Sequence, residues 1–598
     1  MAELKQSPAA RHASRMRRHR LSGRRLRIIA TAGLLALGVL GIAWIIVTGV
    51  MARSEAAAAQ SAVNRLRSQL AAADLSQVGA TADDIRTHAH RAHALTSGPA
   101  WWAAAHLPWV GRPLETGRGC AAQVDVLARE VLAPLVAVSE TLDVQHLVNS
   151  GSVRVQPLLD AAPTVSAADS RLRTTTAAVA ALPSSSWLST VDTTREHLLS
   201  SLQKLQGQLD AADRAASVLP EMLGAKGTKR YFVGLENEAE SRGLGGIPGA
   251  FSIVTAENGR LTFTRFESDT TLTRVHTGLD LGTEFERRYS AAAPADTYPN
   301  STISPDFRDA AQIWAAMWKK YSGQEIDGAV AIDPTAISYL LRVTGPAALT
   351  DGTAITADNV VALTQKTLYR QFPNTTERKN YLLSIASAIS TRLVTAKGST
   401  PLIHAATRAA SERRLMIWSR DAETEQVLRQ TSMSGTIDPA GQPFSGFTTV
   451  NATGGKLDYY LRRSASYIRT GCGNESVTTA TITLHNDVPA GSLPAYVTLR
   501  EDHPPYPTQP GDNKLLVSYY ATGGSRIDSV TVDGISTIVA PGTERGLTVF
   551  TLPVELKRGS TRTIVVRLHE PTRAGAVQIL RQPAVNPIDV TVSEPSCG

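Results

Sequence analysis

The stretch GTKRYFVGLENEAESRGLGGIPGAFSIVTAENGRLTFTRFESDTTL, residues 227–272, decides how the chain reads. Tyr231 to Leu235 is an apolar run of strand length. Charge follows at once: Glu236, Glu238, Glu240 and Arg242 surround Asn237, and glycines at 243, 245, 246 and 249 then flank Pro248. Gly and Pro disfavour a helix interior, so this part turns tightly or brings its backbone close to something. Asn258-Gly259 between two β-like runs predicts a two-residue hairpin, because both residues tolerate positive φ. That register sets Glu257 opposite Arg260. It puts Val254, Leu261 and Phe263 on one face and Phe251, Ile253 and Phe266 on the other, so a sheet covered on both sides is expected. Glu236, Glu238 and Glu240 share a face if extended, either as a divalent-cation site or as solvated or salt-bridged carboxylates.

The glycines miss the G-x-G-x-x-G spacing, and no G-x-x-x-x-G-K-[ST] loop occurs, which argues against a nucleotide site. Downstream, Ser304 and Pro305 predict a helix start, with Phe307, Ala310, Ala311, Trp314, Trp318 and Tyr321 on one face. Gly328 to Ile332 reads as a buried strand, Asp333-Pro334 opens a helix stopped near Gly345-Pro346, and Asn359 to Leu368 is a further helix. Alternating strands and helices over 223–430 predict an α/β sandwich core. Over 431–598 short alternating strands at 478–484, 514–520, 527–532, 547–552 and 563–568 predict a carboxyl-terminal antiparallel β-sandwich, immunoglobulin-like by analogy.

At 598 residues the chain is long enough for two or three domains. Its net charge of +8 is located entirely in residues 1–27, where nine Lys and Arg face Glu3 alone. The basicity is thus a topological signal and not a nucleic-acid footprint. Residues 28–52 follow without a charge, and 25 residues suffice to cross a hydrocarbon core of about 30 Å. The run exceeds a signal-peptide apolar region, so a signal-anchor is expected, with residues 1–27 cytoplasmic and the bulk extracytoplasmic.

Residues 53–222 are Ala-rich and read as an all-α helical spacer. Val63, Leu66 and Leu70, then Val124, Leu127, Val131, Leu135 and Val138, then Leu198, Leu202, Leu205 and Leu209 recur at helical spacing, with a kink expected at Pro134. No heptad pattern persists, which favours a bundle over a coiled-coil stalk. Trp101, Trp102 and Trp109 mark either a membrane interface or a packed helical corner. Cys472 and Cys597, both in the β-rich region, are expected to form a disulfide in an oxidising compartment, leaving Cys120 free.

Asn237, Ala239, Glu240, Arg242, Gly245 and Gly246 fit N-x-A-E-x-R-x-x-G-G. This resembles the signature of a bacterial membrane-anchored family, domain of unknown function 4012, and continues through IDGAVAIDP (326–334), TGPAAL (344–349) and NATGGKLDYYLRR (451–463). The order of strand, charge, hairpin and Ser268-Asp269-Thr270 is also similar to the core of the LytR-CpsA-Psr glycopolymer transferases. That second resemblance implies arginines on a pyrophosphate, here Arg242, Arg370 and Arg378, with Glu240 and Asp269 as candidate ligands for Mg²⁺. The arginine it expects before Asp269 is Ser268. The sequence recognises no Ser/His/Asp, zinc-ligand or paired-cysteine motif and leaves open whether the chain is an enzyme.

The leading expectation is a membrane-anchored cell-envelope protein binding an anionic component, such as a polyprenyl-phosphate-linked glycan or a cell-wall polymer. A glycopolymer transferase and a non-catalytic envelope scaffold are the alternatives.

Overall fold

The computed structural model describes residues 23–71, 77–142, 147–149, 152–184, 187–396, 399–439, 441–471 and 476–595. Two units result: Met1–Glu140 with Thr164–Asp210, and Thr141–Pro163 with Ala211–Gly598.

The first unit is helical. Gly23–Ala71 is one helix of 49 residues, and its apolar part is the one helix among the described residues long and apolar enough to cross a membrane. Side chains from Leu35 to Val47 are mostly exposed, while Thr48, Ala52, Ala59, Ala62 and Leu66 are buried. Steps of three, four and seven residues put these buried positions on one side of the helix, which continues from its exposed apolar part into the bundle without a break. Ala62 and Leu66 pack with Val78, Ile85, Ala89 and Ala128, and a second cluster joins Val131, Val165, Leu172, Val179, Leu202 and Leu209. The expected irregularity at Pro134 takes the form of a π-helical turn, Ala128–Leu132, directly before it. Proline offers no N–H to the carbonyl one turn back, and the wider turn accommodates this.

In the second unit the quoted stretch forms the centre of a seven-stranded sheet. Its order is Val148–Asn149, Ser152–Val153, Arg260–Ser268, Gly245–Glu257, Lys229–Arg242, Gly328–Ile332 and Leu415–Ser419. Lys229–Arg242 pairs parallel with Gly328–Ile332, and the hairpin sets Glu257 opposite Arg260 as predicted. The face assignment needs one correction. Thr264 is an extra residue between the Ile253–Arg265 and Val254–Phe263 pairs, so Phe266 pairs with Ser252 instead of Phe251. A bulge of one residue reverses the alternation beyond it. Phe266 therefore stacks on Phe263, 5.7 Å between centroids, on the face of Val254 and Leu261.

The opposite face carries Phe232, Phe251 and Ile253 against the helix Phe307–Ser322, with Trp314 fully buried. Gly234 is required there, since a Cβ would lie 2.4 Å from the Trp314 ring. That helix begins at Phe307 and is capped by Asp306, whose carboxylate accepts from the Arg308 N–H, rather than by Ser304. The Ser304 hydroxyl instead accepts from the Asp306 N–H and donates to Asp309. Asp333 caps Pro334–Thr344 as expected. The helix expected over 359–368 is interrupted: Val360–Ala362 runs into a π-helical turn, Leu363–Thr367, and then Leu368–Gln371.

Residues beyond 431 build a five-stranded and a six-stranded sheet whose inner side chains share one core, including Phe447, Ile482, Tyr519, Phe550 and Val566. The five expected strands are present. The sheets are not purely antiparallel, however: Gln578–Arg581 pairs parallel with Phe444–Asn451, and Asp589–Ser593 pairs parallel with Leu461–Thr470. The last segment of the chain thus returns to the first strand of each sheet.

Candidate functional site

Glu236, Glu238 and Glu240 lie at alternate positions of the strand Lys229–Arg242 and all three are buried, while its pairing with Gly245–Glu257 shifts register between Leu235 and Glu236 and between Asn237 and Ser241. Each has a different partner set. Glu240 accepts from Lys456 Nζ at 2.5 Å and from Arg242 Nη2 at 2.8 Å. Burial opposes its ionisation, but the two cations prevail and hold its carboxyl below the usual range. Glu238 meets Arg414 Nη1 at 3.2 Å and the Gln365 amide, while Asp333 shares that arginine at 2.7 Å. Desolvation and the neighbouring Asp333 charge push Glu238 well up. Among the described residues Glu236 accepts only from the Gly246 N–H, at 3.4 Å, and its Oε1 has no partner. Burial, then the Asp333 charge, push it up to about 8.

The rest of the signature holds this row in place. Asn237 donates to the Tyr369 hydroxyl at 2.9 Å and accepts from the Ala239 N–H. The Ser241 N–H and hydroxyl both donate to Asp458, and the Gln582 amide donates to the Arg242 carbonyl. At Gly246 a Cβ would come 2.5 Å from the Asn237 carbonyl carbon, so only glycine allows the two strands to approach. Of the second motif, NATGGKLDYYLRR, Lys456 binds Glu240 and Asp458 binds Ser241, Asn451 and Asn513. Two stretches that are separate in sequence are the two halves of one buried polar seam.

The three candidate arginines occupy three environments. Arg242 is buried and paired with Glu240. Arg378 is buried, donates to the Phe372 carbonyl at 2.8 Å, and lies 4.3 Å and 5.1 Å from the ring centroids of Tyr496 and Tyr369. Arg370 is exposed and lines a cavity of about 230 Å³. The cavity holds one of the three guanidinium groups. Arg242 is linked to it through Glu240 and Lys456, and Arg378 is not among the lining residues.

The candidate Mg²⁺ ligands are likewise engaged. Both Glu240 oxygens face cations, and Asp269 pairs with Lys379 at 2.5 Å. Among the described residues no group of three or more His, Cys, Asp or Glu is arranged to hold a metal. Glu240 and Asp269 as placed do not fit an Mg²⁺ site, because each already has an ammonium or guanidinium group where the ion would sit.

Gln365, Lys366 and Arg370 reach the cavity from the interrupted helix, Lys456, Tyr459 and Tyr460 from the second motif, and Leu493, Pro494 and Val497 close an apolar side. The π-helical turn widens the helix here, which turns Gln365 and Lys366 into the cavity wall. Every ionic side chain in the lining is a cation. Lys456 is balanced by Glu240; Lys366 and Arg370 are exposed and have no ion-pair partner among the described residues. Lys366 Nζ lies 5.4 Å and 5.6 Å from the Tyr459 and Tyr460 rings. Gln365 is 1% exposed and its Oε1 has no hydrogen-bond partner. Sequence reasoning found Arg370 but missed Lys366, one helical turn before it, and Lys456, the only cation between Asn451 and Tyr460.

The chain thus combines an N-terminal apolar helix, a mixed helix-and-sheet unit and a cavity whose ionic lining is cationic. Residues 226–369 match the family described as Protein of unknown function (DUF4012), so the resemblance carried by the signature holds over that segment. Comparison with curated proteins and with solved structures returned no match. The similarity to LytR-CpsA-Psr transferases gains no support from these comparisons.

Proposed function

We propose that this is a membrane-anchored envelope protein that binds a phosphate-bearing anionic group in the cavity around Lys366, Arg370 and Lys456. The carrying observation is a lining whose ionic groups are all positive, two of them without an ion pair among the described residues. Arginine offers planar, bidentate donation to phosphate oxygens, and the tyrosine hydroxyls add donors beside it. A polyprenyl-phosphate-linked glycan or an anionic wall polymer would supply that chemistry, with the Leu493–Val497 side receiving apolar or sugar surface. The basic residues 1–27 favour the cytoplasm, which leaves the cavity outside. Binding is favoured over group transfer because Arg242, Arg378, Glu240 and Asp269 are all occupied by protein partners.

The test is titration of the full chain in detergent with inorganic pyrophosphate and with a short polyprenyl pyrophosphate. Removing a charge-assisted hydrogen bond costs about 1.5–3 kcal/mol, so Arg370→Ala with Lys366→Ala should weaken binding by more than about tenfold. Both side chains are exposed, so the thermal midpoint should stay put. Unchanged affinity in the double variant would overturn the assignment. Lipid binding without pyrophosphate binding would move recognition to the apolar side.

A further inference from the structure

The helical unit carries an aromatic corner whose position is fixed against the apolar helix. Trp101 Nε1 donates to Thr48 Oγ1 at 2.8 Å, and the Trp101 ring lies 3.4 Å from the point where a Gly49 Cβ would be. Both partners sit where the helix Gly23–Ala71 changes from exposed apolar side chains to buried ones. At 1.5 Å per residue Thr48 is only about 6 Å from Ala52, the last residue before the first charge, Arg53. The corner is therefore level with the end of the membrane-crossing segment.

Large apolar side chains project from this corner and are not covered. Trp102, Leu107 and Val110 are each more than half exposed, Trp109 is 87% exposed, and Trp187 and Leu188 add to them. The backbone holds them out. Pro99–Ala105 is a short helix; the Gly111 N–H returns to the Leu107 carbonyl at 2.9 Å; and Trp187 Nε1 reaches the Val110 carbonyl at 3.3 Å. A Cβ at Gly111 would lie 2.2 Å from the Ala105 carbonyl oxygen, so the corner is tightly closed. Exposed indoles are costly in water and favoured at the boundary between hydrocarbon and headgroups.

We infer that Trp102, Leu107, Trp109, Val110 and Trp187 form a membrane-contact surface, seated in the interfacial layer of the same bilayer that the apolar helix crosses. The occupant is lipid because the Trp101–Thr48 bond ties the patch to the end of a lipid-facing segment. The surface gives the helical unit a second point of attachment, which restrains its rotation about the crossing helix.

The full chain in nanodiscs tests this, using lipid brominated either near the headgroup or deep in the acyl chain. Trp44 and the buried indoles provide a constant background, so the readout is the difference between wild type and the Trp102→Phe/Trp109→Phe/Trp187→Phe variant. Unchanged far-ultraviolet circular dichroism confirms that the variant is folded. The difference emission should be quenched severalfold by shallow bromines and less by deep ones. Difference emission insensitive to both lipids would overturn the inference. So would emission that shifts with protein concentration instead of with bromine position, since that outcome identifies a second copy as the occupant.

Discussion

Lys456 Nζ lies 2.5 Å from Glu240 Oε2, and both residues are buried although 216 positions separate them. Desolvation opposes the charge of the lysine, but Glu240, by charge and hydrogen bond, together with Tyr369 and Tyr496 holds it above its usual range, and the carboxyl is held below its own. The pair joins the two motifs of the chain, and its lysine lines the cavity.

Opening that pair should be costly. Lys456→Met leaves Glu240 with Arg242 alone, and losing one partner of a buried ion pair costs about 3–5 kcal/mol. The thermal midpoint should fall, and Glu240→Gln with Lys456→Met should recover part of the loss. A double-mutant cycle on chemical unfolding measures the coupling, and additivity within about 0.5 kcal/mol would deny it.

Glu236 should make stability depend on pH. Its carboxyl titrates near 8 in the folded chain and near 4.5 when unfolded. Between those values the native state keeps a proton that the unfolded state has released. Its contribution is therefore present below about pH 4.5 and is lost as pH rises toward 8. Glu236→Gln mimics the protonated form, so its midpoint relative to wild type should climb from pH 5 to pH 9. The shift corresponds to roughly 3–5 kcal/mol. A pH-independent difference would mean the carboxyl is ionised throughout.

Cys120 should be unreactive. Burial, partly offset by the Arg195 charge, pushes its thiol up to about 11. A maleimide at pH 7.5 should label it much more slowly than after unfolding. Cys472 and Cys597 lie outside the described residues. Their expected disulfide would stabilise by about 4–5 kcal/mol in the chain-entropy model, and a non-reducing peptide map that finds Cys472 as a thiol would exclude it.

A phosphatase reporter fused after Gly598 should be active if the basic tail stays in the cytoplasm. Activity of a reporter that works only in the cytoplasm would invert the topology, and with it the reading of the cavity as outward-facing.

The sequence displayed its local rules well. The Asn258-Gly259 hairpin, the Asp333 cap and the stripes of the helical unit follow from turn chemistry and periodicity. It concealed whatever depended on a single inserted residue or on distant partners. Thr264 moves Phe266 to the other face, and nothing in a run of alternating residues marks it as a bulge. Glu238 and Glu240 suggested ligands for a cation because Gln365, Arg414 and Lys456, which they bind, lie more than a hundred positions away. Arg378 carried the charge of a site residue, yet it lies beside the stacked rings of Tyr369 and Tyr496, and Tyr496 is more than a hundred positions away. Lys366 is the informative omission: a π-helical turn aims it, and no propensity signals that turn.

The bond from Gln582 to the Arg242 carbonyl spans 340 residues. At about 5–20 residues per second, synthesis needs on the order of 20–70 s to pass from one to the other. Throughout that interval the Arg242 carbonyl at the end of the acidic strand lacks the Gln582 amide. The carboxylates of Glu238 and Glu240 wait a shorter time, because their own partners Gln365, Arg414 and Lys456 lie earlier in the chain than Gln582. A nascent chain in that state is open to proteolysis and to wrong pairing along its edge, and whatever shelters it must do so for tens of seconds. Late truncations should then do more harm than their position near the end of the chain would suggest.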